Sequence, residues 1–310
     1  MTTQPKSRLG KVHQGWYLLA LAGELTEEIT PLRIGSRALI AVRADDRVRV
    51  FDGICPHRGA SLGHGGELLP GPAVRCPFHG RRIGLGEGVG AGRWSVRELP
   101  SVDAGGAVFV RLTDAPDGDR GFGLVLKTML ASRRVVPACT VQVSVPAEYV
   151  IENAFDLDHF PSVHLVSRVV GQSFGLGDEG ELGISTEFVT HAPPWERSAD
   201  GSYRSRFHAR AFSPSLVVTE LGQPGLAHYV FTGATAVSGT SCVVRIAFGV
   251  EPDTSAAVLD ELISGARRAI EQDRAVWEHL DLDAPVSLAG RDASVLAFQH
   301  FCAGFGALSR

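Results

Sequence analysis

The chain has 310 residues, is 44% hydrophobic and 21% charged, and carries a formal net charge of −4. That length holds one large or two ordinary domains with real cores, and the composition excludes wholesale disorder. The slightly acidic balance lacks the footprint of a nucleic-acid binder, and no apolar run is long enough to span a bilayer.

The first part reads as short strands separated by turns. Residues 16–22, 37–43 and 47–52 are strand-like, with a turn at Ala44-Asp45-Asp46, and 107–112 closes the series. The run 16–22 has no cleavage pattern of a signal peptide, so a cytoplasmic setting is expected. The stretch 113–123 is polar and turn-rich, which places a boundary between domains 1–118 and 119–310. Beyond it, 139–145 alternates as a strand and 147–160 reads as a helix. Strand-like runs follow at 184–191, 203–212, 216–221, 227–236 and 242–250. Two helices then occupy 255–280 and 292–305. Consecutive strands followed by helices indicate an α+β domain, an antiparallel sheet with helices on one face.

Between the early strands lie Cys55-Pro56-His57 and Cys76-Pro77-Phe78-His79. Each arm mixes one thiol and one imidazole. A Rieske [2Fe–2S] centre needs that set, because two thiolates hold one iron and two imidazoles the other. A structural zinc ion also accepts two Cys and two His, although zinc sites more often pair Cys with Cys and His with His. Cys139, Cys242 and Cys302 sit in apolar surroundings and read as inert core residues. The alternating glycines from Gly84 to Gly92 have no GxGxxG-to-helix context, and a surface turn beside the arms is the better reading.

A second constellation lies in Glu152-Asn153-Ala154-Phe155-Asp156-Leu157-Asp158-His159-Phe160-Pro161-Ser162-Val163-His164. Asp156 and His159 share a face of a helix. His159 and His164 are five apart, and Pro161 is expected to bend or end the helix so that His164 swings back. Two imidazoles and a carboxylate make the facial triad of a non-heme Fe(II) oxygenase. The carboxylate must come from farther along. Asp292 is the preferred candidate, although Asp before an apolar-periodic run is also what an N-cap looks like. Asp273 is the rival, and its charged neighbours suggest a solvated helix face.

Together the two motifs resemble the oxygenase component of Rieske non-heme iron oxygenases, over most of the chain. The resemblance implies a Rieske β domain followed by a helix-grip, START-like catalytic domain. It implies that Cys55, His57, Cys76 and His79 bind the cluster and that His159, His164 and Asp292 bind a mononuclear iron. Asp156 would bridge to a neighbouring subunit and Asn153 would sit beside the iron. It also implies a homotrimer fed by NAD(P)H through a ferredoxin or flavin reductase. Where the family has Trp after His79-Gly80, Arg81-Arg82-Ile83 stands, so the docking surface for a donor is expected to differ. The expected activity is hydroxylation or oxidative demethylation of a mostly hydrophobic organic substrate, with cis-dihydroxylation as a variant. Asn153, Phe155, Phe207, His228 and Phe231 are the expected pocket lining. The competing readings are a Rieske electron carrier with a ligand-binding second domain and a zinc-stabilised binding protein.

Overall fold

A computed structural model describes residues 12–44, 47–86, 93–113, 115, 118–164, 166–191, 202–222 and 227–306. The later members of the alternating glycine run and part of the expected domain boundary lie outside the described residues.

Three small sheets build the first part. β1 (Trp16–Leu21), β11 (Ala107–Arg111) and β10 (Ser101–Ala104) form one in the order β1-β11-β10. A second has β2 (Ile29–Ile34), β3 (Arg37–Ala44), β4 (Arg47–Asp52) and β9 (Glu98–Leu99), in that order. The third runs β5 (Glu67–Leu69), β6 (Ala73–Arg75), β7 (Arg82–Leu85) and β8 (Ser95–Val96). All six residues of β1 are buried, because both of its faces are covered. One face packs with Val48, Val50 and Leu99 of the neighbouring sheet, and the other meets the second domain.

That second domain starts with α1 (Phe122–Leu130) and is built on one antiparallel sheet of seven strands, ordered β12-β18-β17-β16-β15-β14-β13. These are β12 (Arg134–Val143), β13 (Arg168–Leu176), β14 (Leu182–His191), β15 (Ser202–Ser213), β16 (Leu216–Gly222), β17 (His228–Ser238) and β18 (Ser241–Val250). Inserted between β12 and β13 are α2 (Ala147–Glu152) and α3 (His159–Val163). After the sheet come α4 (Ala256–Trp277) and α5 (Ala293–Ala303). The expected strand-then-helix order is the order observed.

The sheet has two differently used faces. Phe212, Phe231 and Ala247 point to the first domain and bury Trp16, Phe109 and Phe122. Phe109 and Phe231 ring centroids are 5.4 Å apart, and those of Trp16 and Phe122 are 5.1 Å apart. Polar links reinforce this junction. Ser213 Oγ donates to the Trp16 carbonyl at 2.5 Å, and Arg245 grips both carboxylate oxygens of Glu24 at 2.8 Å. The other face, with Phe188, Phe207, Ile246 and Phe248, receives α2, α4 and α5. The helices and this face enclose the second constellation.

Two candidate metal centres

The two cysteine arms are conformational copies. Cys55 N–H donates to the Ala60 carbonyl at 2.8 Å, and Gly59 N–H donates to the Cys55 carbonyl at 2.9 Å. In the second arm Cys76 N–H donates to the Arg81 carbonyl at 2.8 Å and Gly80 N–H to the Cys76 carbonyl at 3.0 Å. Closing each turn requires a left-handed residue, and Gly59 and Gly80 have φ of 74° and 62°. Both cysteines are 2% exposed and packed in the core of the arms with Phe51, Val74 and Ile83. Burial, and contact with the Cys76 side chain, push the Cys55 thiol up. His57 and His79 lie farther out, with ring centroids 4.9 Å apart and planes at 76°. Trp94 covers His57 at 5.1 Å, and the Arg81 guanidinium lies 4.4 Å over Trp94.

A sulfur pair inside and an imidazole pair outside fit a two-iron cluster. One zinc ion would need its donors gathered around a single point. Among the described residues only His159, His164 and Asp273 bring three donor atoms within 4.8 Å of one another.

That second group is assembled by a break in the helix. α2 ends at Glu152, with Asn153 as its C-cap, and a turn follows in which Phe155 and Asp156 N–H groups donate to the Glu152 carbonyl. The chain resumes helix at His159. Pro161 therefore does not break the helix, as had been expected. It lies in the first turn of α3, where its missing N–H has no helical partner to lose. His159 opens this five-residue helix and His164 caps it. Their ring centroids are 5.0 Å apart, with planes at 79°.

Each imidazole is held by its outer nitrogen. His159 Nδ1 donates to the Asp156 backbone carbonyl, and His164 Nδ1 donates to Gln272 Oε1 at 3.2 Å. An acceptor at Nδ1 fixes the tautomer and leaves Nε2 free for a metal. Asp273 Oδ1 lies 3.2 Å from His164 Nε2 and 3.9 Å from His159 Nε2. Burial pushes the His159 pKa down. Burial also acts against charge on His164, but Asp273 and Gln272 outweigh it and raise that imidazole.

The carboxylate beside the histidines is thus Asp273, in place of the expected Asp292. Asp273 is 8% exposed and shares the buried stripe of α4 with Ile270 and Trp277. Asp292 precedes α5, and its Oδ2 accepts from the Ala289 N–H at 2.7 Å, across a 3-10 turn at Gly290–Asp292. The neighbouring Ser294 reaches the histidine-bearing turn instead, donating to the Phe155 carbonyl at 2.6 Å. The Asp156 carboxylate accepts from Asp158 N–H at 3.1 Å, and only its backbone carbonyl meets His159. Gln272 was missed by sequence reasoning, although its adjacency to Asp273 was a usable signal.

Phe160 continues from His159 into an aromatic wall. Its ring lies 4.6 Å from Phe188 and 5.3 Å from Phe207, and those two are 4.7 Å apart. Of the expected lining, Phe207 belongs to this wall. Phe231 is on the opposite face of the sheet and fully buried against the first domain. Phe155 stacks on Phe298 at 5.2 Å in the core, and His228 packs against Phe248 at 5.8 Å. A groove of about 730 Å³ lies elsewhere, on the first domain, and its Arg49 and Glu98 already pair with each other.

Two family patterns match the chain. Residues 15–102 match the Rieske [2Fe-2S] domain, and 126–299, more than half of the chain, match the 3-ketosteroid 9alpha-hydroxylase C-terminal domain. The chain is a Rieske oxygenase, an oxygenase component. Cholesterol 7-desaturase of Drosophila melanogaster is 24% identical over 94% of this chain and 74% of that protein. The oxygenase component of 3-ketosteroid-9-alpha-monooxygenase from Rhodococcus rhodochrous is 23% identical over 67% of this chain and 56% of that protein. The structure of dicamba monooxygenase bound to 3,6-dichlorosalicylic acid superposes with a TM-score of 0.72 at 20% identity, covering 94% and 96% of the two chains.

A Rieske oxygenase uses a [2Fe–2S] cluster and a mononuclear iron, and the two donor sets of this chain fit them. The iron, when bound, activates O₂ with electrons that arrive through the cluster. The protein's part is to hold two imidazoles and one carboxylate at a half-buried, aromatic-walled place. No helix among the described residues is long and apolar enough to cross a membrane.

Proposed function

We propose that this oxygenase component hydroxylates or oxidatively demethylates a hydrophobic fused-ring substrate of the steroid class. The carrying observation is the convergence of His159, His164 and Asp273 within 4.8 Å of one another, against the wall of Phe160, Phe188 and Phe207. Such a wall contributes shape and apolar surface, and offers a substrate few polar partners. The steroid class is supported by the two relatives, whose names specify a ketosteroid and cholesterol.

Cys55, His57, Cys76 and His79 hold the cluster in this reading, and His159, His164 and Asp273 hold the iron. NAD(P)H supplies electrons through a ferredoxin or flavin reductase. A head-to-tail homotrimer sets the cluster of one subunit beside the iron of the next. The exposed His79 suits such a contact, and so does the partly exposed carboxylate of Asp156. Asp156 then accepts a hydrogen bond from a neighbour's His79 while its own backbone carbonyl orients His159.

The test is reconstitution. Anaerobically purified protein is expected to hold three irons and two acid-labile sulfides per chain. With a ferredoxin, a reductase and NADH it should convert a steroid to a product one oxygen heavier, if it hydroxylates, or one CH2 lighter with release of formaldehyde, if it demethylates. A protein with full metal content that consumes O₂ with none of a panel of steroids would overturn the substrate assignment.

A further inference from the structure

Both imidazoles of the histidine–carboxylate group lie in one stretch of chain, and the two ends of that stretch meet on a single oxygen. Phe155 opens the stretch and Gln172 closes it. Ser294 Oγ, from the first turn of α5, donates to the Phe155 carbonyl at 2.6 Å and accepts from Gln172 Nε2 at 3.1 Å. A hydroxyl has one proton to offer, so the Phe155 carbonyl receives it and the Gln172 amide fills a lone pair. Ser294 is 1% exposed, whereas serine is ordinarily a surface residue. A buried hydroxyl needs partners, and both of these belong to the histidine-bearing stretch.

Each end is built to reach that oxygen. At the first, the Phe155 N–H donates to the Glu152 carbonyl at 2.8 Å, and the fully buried ring stacks on Phe298 of α5 at 5.2 Å. The next carbonyl along, that of Asp156, is the one that receives His159 Nδ1. Ser294 therefore grips the chain one residue from the group that orients His159.

At the other end β13 carries a bulge. Val170 pairs with Glu187 and Ser173 with Ser185, so Gly171 and Gln172 together oppose Thr186. Gly171 has a φ of 68°, which glycine adopts without strain. Thr186, 7% exposed, locks the bulge by placing its Oγ1 2.6 Å from the Gly171 carbonyl and 3.2 Å from that of Val170. A bulge re-aims a side chain, and this one sends Gln172 to α5. β13 begins at Arg168, soon after His164, so the anchor of the strand also anchors that histidine.

We propose that Ser294 is a positioning residue of the iron site, a clamp that holds both ends of the histidine-bearing stretch at one point. Fixing the two ends limits how far α3 can shift between them. His159 Nε2 and His164 Nε2 then keep the spacing at which Asp273 Oδ1 faces both. Groups that orient ligands without touching the metal carry a measurable part of its affinity. The proposal rests on the assignment of His159, His164 and Asp273 to the iron.

A purely structural role competes, since Ser294 also fastens α5 to the sheet through Gln172. Asp292→Ala is the control, because it loosens the same end of α5 through a contact with Ala289 that lies outside the clamp. Iron-depleted protein with its cluster intact is titrated with Fe(II), and melting temperatures are measured alongside. Ser294→Ala should bind Fe(II) about 10-fold more weakly than the wild type. Gln172→Ala, which opens one end, should bind it about 3-fold more weakly. Ser294→Thr keeps the hydroxyl and should stand closer to the wild type than Ser294→Ala does. Asp292→Ala should melt lower and bind Fe(II) normally. Co(II) in place of Fe(II) gives a second readout, because an oxidised cluster is silent in electron paramagnetic resonance. The Co(II) signal should change in Ser294→Ala and hold in Asp292→Ala.

Unchanged affinity and an unchanged Co(II) signal in Ser294→Ala would overturn the proposal, and so would an equal loss of affinity in Asp292→Ala. Gln172→Ala decides the matter if Ser294→Ala does not fold, since the Gln172 side chain is exposed and its removal opens no cavity. Wild-type affinity in that variant overturns the two-ended clamp. A wild type that takes up no metal beyond its cluster overturns the iron assignment and the clamp together. A wild type that does take it up, beside an unaffected Ser294→Ala, overturns the clamp alone.

Discussion

Asp273 Oδ1 lies 3.2 Å from His164 Nε2, so that α4, a helix late in the chain, completes a group begun on α3. A carboxylate 8% exposed is costly unless it is paired, and here two imidazoles face it. Asp273→Asn is expected to lose most of the mononuclear iron and keep the cluster. Asp292→Ala should keep both metals and cost about 1 kcal/mol of stability, from the lost contact with the Ala289 N–H. Iron and sulfide analysis of the two variants decides between these carboxylates. Iron loss in Asp292→Ala alone would return that residue to the ligand role.

Gln272 acts through His164. Its Oε1 accepts from Nδ1, which holds the ring so that Nε2 points towards Asp273. Gln272→Leu should weaken mononuclear iron binding about 10–100-fold and leave the visible spectrum of the cluster unchanged. Titration of iron-depleted protein with Fe(II) measures this directly. An unaltered affinity would mean that packing alone orients the ring.

The cluster arms were legible in the sequence because ligand type, spacing and the closing glycines are all local. The strands from β14 to β18 were legible for a similar reason, since their alternation reports one buried face. Asp273 was not, because a carboxylate on a charged helix looks solvated until the partner elements are known. The signal existed all the same. Leu259, Leu262, Ala266, Ile270 and Trp277 trace the core-facing stripe of α4, and Asp273 occupies a position on it. β13 was missed because Gly171 and Gly175 and a register shift after Val170 interrupt its alternation, and its strand form depends on pairing with β14. The break between α2 and α3 was placed at Pro161 because proline is the familiar helix breaker. The helix in fact ends at Glu152, and Phe155, fully buried against Phe298, anchors the turn that follows.

Among the described residues, the hydrogen bond that the Asp156 side chain accepts comes from the Asp158 N–H. If that side chain bridges to a neighbour's His79, Asp156→Ala should retain both metals and the His159 contact, which is made by the backbone. Steady-state turnover should still fall by about 10²-fold or more, because the cost lies in electron delivery between subunits. Stopped-flow oxidation of the reduced cluster is the measurement. A cluster that is oxidised at the wild-type rate in this variant would remove Asp156 from the path.

The domain junction gives a pH-dependent stability with a definite sign. Burial acts against charge on Glu24, but the two hydrogen bonds from Arg245 outweigh it and hold its carboxyl below the usual value. A depressed folded-state pKa contributes stability that is present above the unfolded value of about 4.5 and is lost as pH falls through the folded one. Glu24→Gln leaves the Arg245 guanidinium, only 8% exposed, without its counter-charge. The variant should be about 2 kcal/mol less stable than the wild type at pH 7. Below the folded-state pKa both proteins carry a neutral side chain at this position, so their melting temperatures should converge. A gap that stays constant from pH 7 down to the acid limit would show that the glutamate acts through packing, and that its charge adds nothing to the junction.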